Sequence, residues 1–416
     1  MSTETVTITA IGAEGDGIAR TGQGPVFIPF TLPGEEVAIA RVKNQGTAMS
    51  WSKLSDDRVA PSCRHFGPEG AGGTCGGCSL QHWADLPYQS FKRDLVVSAL
   101  AARRIEADVA PLVACSAGAR RRVTFSARLT EKGLVLGYMQ AGSHHIVTIE
   151  DCPIASPAII GRLAGIRRIA TALATGSEPF RITVLATKSG LDLDFLDLRK
   201  PDARKQQAAV DLAIQEKGIA RISLGSEVLV EPQKPELDFG GIAVIVPPGA
   251  FVQASEHAEA VMAELVGAHL GKAKRIADLF SGCGTFALRL ARKSAVHAVE
   301  FDAPALAALD QAARRAQGLK PVSVERRDLF RRPLQPMDLK QIDAVVFDPP
   351  RAGAEAQAQE LARSKVARIA AVSCNPVTLA RDLEILIAGG YKLKSVTPID
   401  QFLWSGHVEA VALLER

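Results

Sequence analysis

Cys374 stands in Ala371-Val-Ser-Cys-Asn-Pro376, at the end of an apolar run and just before a proline that can open a helix. Most buried cysteines are inert small hydrophobes. One placed between a strand end and a helix N-terminus is different, because the helix dipole favours a thiolate there. Asp348-Pro-Pro-Arg-Ala-Gly353 follows another apolar run. Its two prolines hold the backbone extended and present Asp348 at a fixed place. Asp278-Leu-Phe-Ser-Gly-Cys-Gly-Thr-Phe-Ala287 leaves a third run, and Gly282 and Gly284 allow a tight turn that a ligand can approach closely. Glu300 ends the next strand-like run, where a carboxylate can accept hydrogen bonds from both ribose hydroxyls.

A nucleotide-type cofactor is therefore expected, and the glycine turn suits either NAD or S-adenosylmethionine (SAM). Dehydrogenases have no need of the Asp348 loop, whereas methyltransferases acting on a planar base use Asp/Asn-Pro-Pro in this place. That favours SAM. A thiolate beside a methyl donor solves a specific problem. Carbon 5 of uracil is too weak a nucleophile to take a methyl group unless a thiolate first adds to carbon 6. A base must then remove the carbon-5 proton so that the cysteine can leave. Glu409, closing Asp400-Gln-Phe-Leu-Trp-Ser-Gly-His-Val-Glu409, is the candidate.

Cys63, Cys75 and Cys78 share one Gly-rich loop, and Cys152 lies in Glu150-Asp-Cys-Pro153. Four such thiolates can close on a metal, with zinc the default from residue types and iron–sulfur the alternative. Cys115 and Cys283 are read as non-ligands.

These residues need elements to hold them. Within the last third, strand-like runs at 275–280, 295–300, 322–326, 342–347, 368–373, 391–396 and 408–413 are predicted. Helical segments at 285–293, 303–317, 354–365 and 377–388 separate most of them, and another helix precedes at 255–270. The pattern predicts an α/β domain over 246–416, with a seven-stranded, mostly parallel, Rossmann-like sheet covered on both faces. Only the last two strands should pair antiparallel, their connection being too short for a helical crossover. Residues 1–56 alternate apolar and polar positions between glycine-rich turns, the pattern of a small β-barrel. The stretch 57–245 is expected to be an α+β central domain, with a helix at about 87–104 that packs on the catalytic domain. Between 90 and 132 nine Lys/Arg face four acids, and Arg120-Arg-Arg122 is a candidate phosphate-facing patch. Apolar residues make up 47% of the chain and charged residues 23%, which excludes wholesale disorder. No apolar run approaches the roughly 18 residues that cross a bilayer. The start lacks signal-peptide features, so a cytoplasmic location with reduced thiols is expected, and a monomer is the default.

The chain resembles the RNA uracil-5-methyltransferase family over nearly its whole length. Phe251-Val-Gln253 is similar to that family's Phe-x-Gln motif, 278–285 to its SAM loop and Asp348-Pro-Pro-Arg351 to its base-positioning loop. Ser373-Cys-Asn-Pro376 and His407-Val-Glu409 are similar to its nucleophile and proton-abstraction motifs. The resemblance implies Gln253, Phe280, Thr285, Glu300, Asp328 and Asp348 around SAM and the base, Cys374 as nucleophile and Glu409 as base. It likens residues 1–56 to the OB-like, RNA-binding TRAM barrel. It also turns the four-cysteine reading from zinc to a [4Fe–4S] cluster, although the gap between the first two cysteines is longer here than the family's usual one. Ser255, Thr285 and Asp328 stand where the family often has Asn. The barrel and cysteine set imply 23S ribosomal RNA as substrate, with transfer RNA the alternative. An RNA cytosine-5-methyltransferase would normally carry Pro-Cys at the nucleophile and a second cysteine in the preceding loop. A non-catalytic RNA-binding assembly factor would not need Cys374, Glu409 and the glycine loop together.

Overall fold

The computed structural model describes residues 2–416, with side chains from Thr3 onward. Its C-terminal part is built on a seven-stranded sheet in the order Val322–Arg326, Ala295–Glu300, Arg275–Leu279, Ala344–Phe347, Arg368–Ser373, Glu409–Glu415, Lys392–Ile399. The first five run parallel. Glu409–Glu415 is antiparallel to both its neighbours, with Ser373 opposite Ala410 and Ile399 opposite Glu409. Because that strand is reversed, its first residue lies at the edge where the parallel strands end. This is how Glu409 reaches the same edge as Asp348 and Cys374.

The central strands are buried on both faces, as their continuous apolar sequences require. One face packs Ala277, Leu279 and Phe347 against Leu379 and Leu383 of the helix Pro376–Ala388. The other packs Ile276, Val346 and Val372 against Met262 and Val266 of Glu256–Leu270. Both helices start from a side-chain cap. Ser255 Oγ accepts the Ala258 N–H at 3.3 Å, and Asn375 Oδ1 accepts the Val377 N–H at 3.1 Å.

Residues far earlier in the chain complete this layer. The helix Asp85–Ala102 puts Val96 and Leu100 into the same apolar cluster as Leu383 and Val396. Val109 and Val113 then run beside Val396 and Ile399 at the sheet's outer edge. A second seven-stranded sheet, from Arg122–Thr130 to Glu227–Val230, packs the helices Leu163–Leu173 and Ala203–Gln215 around Phe125, Ile182 and Leu193. Its strands Ile219–Leu224 and Glu227–Val230, and the hairpin Glu236–Asp238/Ala243–Ile245, have no counterpart in the sequence reading. The N-terminal strands close into a five-stranded barrel, Ser2–Ile11, Gly17–Thr21, Gly24–Ile28, Gln45–Lys53 and Glu36–Val42, around Ile8, Val26, Ile28 and Ile39.

Candidate active site

The glycine loop is tied to its neighbouring strand through Glu300. Gly282 donates its N–H to Glu300 Oε2 at 2.9 Å, while Oε1 accepts the N–H groups of Phe301 and Asp302 at 2.6 and 2.8 Å. Phe280 adopts φ 61°, a rare conformation for a bulky residue, and its ring lies 5.4 Å from that of Phe330. Gly284 is required sterically: its φ is 98°, and a Cβ there would stand 2.8 Å from Leu309. Thr285 accepts from Arg289 through its carbonyl at 2.7 Å, and Asp328 Oδ1 caps the Phe330 N–H at 3.0 Å. Asp278 is fully buried, and neither carboxylate oxygen has a well-formed hydrogen bond, although the Ala287 N–H approaches and opposes the shift that follows. Burial, then the charges of Asp348 and Glu300, push its carboxyl well above the usual range. An edge crowded with Asp278, Glu300, Asp348 and Glu409 suits a cationic ligand, and SAM carries both a sulfonium and an ammonium.

The Asp348 and Cys374 loops are stapled to each other. Asn375 Nδ2 and Thr378 Oγ1 donate to the Arg351 carbonyl at 3.1 and 3.3 Å, and Asp382 Oδ2 accepts the Ala354 N–H at 2.6 Å. Gly353, at φ 77°, fits because a Cβ would meet Arg381 and Asp382 within 2.8 Å. The Arg351 guanidinium lies 2.7 Å from His407 Nδ1, so the third loop of the site joins the first two.

A buried chain of side chains connects the two carboxyl groups beside Cys374. Gln253 Nε2 donates to Asp348 Oδ2 at 2.8 Å, and Gln401 Nε2 donates to Gln253 Oε1 at 2.8 Å and to Glu409 Oε2 at 2.9 Å. Glu409 is 2% exposed. Burial and the Asp348 charge raise its carboxyl well above the usual range, with Gln401 opposing. Burial raises Asp348 to about 7 against the Gln253 hydrogen bond. The Cys374 thiol is pushed up to about 11, first by burial and then by Glu409 and Asp348, while Arg351 opposes. The helix dipole expected to favour a thiolate is therefore outweighed by two carboxylates and a partly dry surround.

A family model described as tRNA (Uracil-5-)-methyltransferase matches residues 202–416, and a TRAM domain model matches residues 1–43. An RNA methyltransferase of Agrobacterium fabrum is 61% identical over the whole of both chains. A 23S rRNA (uracil(1939)-C(5))-methyltransferase of Edwardsiella ictaluri is 32% identical, covering 99% of this chain and 95% of its own. The chain belongs to the RNA (uracil-5-)-methyltransferase family. Its fold also matches the Pyrococcus abyssi tRNA (uracil-54, C5)-methyltransferase bound to S-adenosyl-L-homocysteine, with a TM-score of 0.76 over 99% of each chain and 22% identity.

In this uracil-5-methyltransferase Cys63, Cys75, Cys78 and Cys152 line a single cavity of about 340 Å³, together with Arg120, Tyr138 and Phe402. Among the described residues no three His, Cys, Asp or Glu side chains are placed to hold a metal ion. The expected zinc or iron–sulfur ligation is thus not formed among the described residues, although the four thiols line the same cavity and thiolates are the donors such a group takes. Cys115 and Cys283 sit in apolar clusters elsewhere.

Of the expected phosphate-facing patch, Arg121 does not face outward, whereas Arg120 and Arg122 line the cavity of the cysteines. Arg121 is buried, pairing with Glu259 at 2.6 Å and donating to the Gln253 carbonyl at 3.0 Å. Arg120 and Arg122 are partly buried, their guanidinium groups lying over the rings of Phe402 and Phe251. A charge run shows only that partners are needed; here an internal acid and aromatic faces supply them. Sequence reading also missed Lys92 and Gln401. Lys92 is fully buried, 2.9 Å from Asp400, and donates to the carbonyls of Phe402, Ser405 and His407. The Lys92 carbonyl partners lie 310 residues or more away and Gln253 lies 148 from Gln401, so these contacts have no local signal; only the Gln401–Glu409 pair, eight residues apart, is local.

Proposed function

We propose that Cys374 adds through its sulfur to carbon 6 of a uracil in RNA, so that carbon 5 becomes nucleophilic and is methylated. SAM, when bound, would supply the electrophilic methyl group and leave as S-adenosylhomocysteine once its S–CH3 bond breaks. As the Cys374 Sγ–C6 bond forms, the ring's π electrons move toward the carbon-4 oxygen, and carbon 5 then takes the methyl. Glu409 accepts the carbon-5 proton, the ring double bond returns, and the C6–S bond breaks to release the thiolate. Gln253, Phe280, Thr285, Glu300 and Asp328 would hold the methyl donor, and Asp348 would orient the base against it. The observation that carries this reading is the meeting of Cys374, Asp348 and Glu409 on one sheet edge, close enough for the two carboxylates to raise the thiol.

Covalent trapping tests it. RNA containing 5-fluorouridine cannot lose a proton from carbon 5, so the wild-type protein with SAM should form a stable adduct at Cys374, and Cys374→Ala none. An adduct at another residue, or methylation by the alanine variant, overturns the reading.

For the RNA itself, we read transfer RNA as the better-supported class, ahead of the expected 23S ribosomal RNA. Both the matching family model and the full-length structural neighbour carry transfer RNA in their descriptions. The Edwardsiella relative keeps 23S ribosomal RNA as the second reading. Comparing methylation of unmodified transfer RNA and 23S RNA separates them. For the four cysteines that line one cavity, the family resemblance favours an iron–sulfur cluster over a single zinc ion. Anaerobically purified protein should then hold iron and acid-labile sulfide, and zinc alone would refute it.

A further inference from the structure

Gln401 has a buried primary amide, and both its N–H bonds are used: one on Gln253 Oε1, the other on Glu409 Oε2. An amide nitrogen has two hydrogens, and both partners here are acceptors. With Glu409 ionised, flipping the amide would set its oxygen against two other oxygens, so this orientation and the ionised carboxylate select each other. Gln253 is fixed in turn. Its carbonyl is held by Gln401, which leaves its NH2 for Asp348 Oδ2. We infer that Gln401 is a positioning residue for the uracil-5-methyltransferase reaction, holding Glu409 aimed and ionised for removal of the carbon-5 proton.

This rests on the proposed role of Glu409. The groups that face Glu409 are few. Asp348 and Cys374 approach from the ends of the neighbouring parallel strands, and Arg351, in contact with His407, acts on Cys374. Asp400, next to Gln401, is engaged by Lys92 and Tyr88. Glu259, on the helix behind, is held by Arg121 and Arg289. Burial and Asp348 disfavour charge on Glu409, and among the described residues Gln401 is the side chain that donates a hydrogen bond to it. Removing that donor should make ionised Glu409 harder to keep, with the loss greatest at low pH.

The experiment uses the full chain and a pre-steady-state assay on an RNA that the wild type methylates. Two steps are read separately: formation of the covalent protein–RNA adduct and release of methylated RNA. Gln401→Met keeps length and loses the donor, whereas Gln401→Glu sets a second carboxyl against Glu409. Release by Gln401→Met should fall roughly tenfold at pH 6.5 and recover to within about threefold at pH 8.5, with adduct accumulating at the lower pH. Gln401→Glu should move the acid limb further in the same direction. Because Gln401 also holds Gln253, KM for SAM and adduct formation on 5-fluorouridine RNA should move in both variants, but by less than release does and without its pH dependence. A loss equal at every pH, an equal loss in adduct formation, or an unmoved acid limb overturns the inference. Failure of the wild type to make 5-methyluridine would instead overturn the function on which it rests.

Discussion

Two carboxylates face the thiol of Cys374, and their effect has a direction that can be measured without RNA. Burial and the charges of Glu409 and Asp348 put the thiol at about 11 in the free protein. Only the thiolate is nucleophilic, and below that value its fraction climbs roughly tenfold for each pH unit. Alkylation of Cys374 by iodoacetamide, followed on its own peptide by mass spectrometry, should therefore accelerate about tenfold from pH 7 to 8 and again to 9. Glu409→Gln removes one of the negative charges that oppose ionisation, so its rate profile should shift toward lower pH. A profile that levels off near the ordinary thiol range in the wild type would mean that the carboxylates do not act on this sulfur. The same reasoning shows why the residue types were legible and their ionisation was not. Ser-Cys-Asn-Pro places a cysteine before a helix whatever surrounds it, whereas burial and the approach of Glu409 are settled by a strand that begins 35 positions after the cysteine.

Among the elements, the helix Asp85–Ala102 matters for more than packing. Through Lys92 and Tyr88 it grips the loop that leads into Glu409: Lys92 pairs with Asp400, and Tyr88 donates to Asp400 Oδ2 at 2.7 Å while accepting the Trp404 N–H at 2.8 Å. A fully buried ion pair is costly to break, because the remaining charge has neither water nor partner. Lys92→Met should destabilise the fold by about 3–5 kcal/mol in urea unfolding. Adding Asp400→Asn, which removes the orphaned charge, should recover most of that loss. If the double variant is as unstable as the single, the pair is not the source of the effect. The strands and helices of the catalytic sheet were legible because their apolar period is local. The grip on the Glu409 loop was not, since Lys92 looks like one more solvated base in a basic stretch until its partners, more than 300 residues on, are placed around it.

At the scale of the molecule, the barrel is seated on the loop that precedes Glu409, and the seat is a glycine. A Cβ at Gly406 would stand 2.2 Å from the Ala13 carbonyl oxygen and 2.9 Å from the Glu14 carbonyl carbon. Backbone cannot yield as a flexible side chain can, so a methyl group there must push the barrel and the loop apart. Between them lies a cleft of about 480 Å³, lined by Phe30 and Thr47 of the barrel, Gly76 of the cysteine loop, and His407. The barrel matches an RNA-binding type of domain, and the cleft runs from it to the residue that contacts Arg351. Moving the barrel should therefore spoil RNA placement and leave the methyl-donor pocket alone. Gly406 is outside the positive-φ region, so Gly406→Ala adds the clash and no backbone strain. The variant should raise KM for RNA by roughly tenfold, about 1.4 kcal/mol, with SAM affinity unchanged within about twofold. Limited proteolysis should also free the barrel sooner than in the wild type. Unchanged KM for RNA would mean that the seat is structural only, whereas a parallel loss of SAM affinity would mean that the clash spreads into the sheet edge. The sequence gives no warning of this contact: Trp404-Ser-Gly-His407 reads as a turn, and only the return of the N-terminal strand over it makes the missing side chain a requirement.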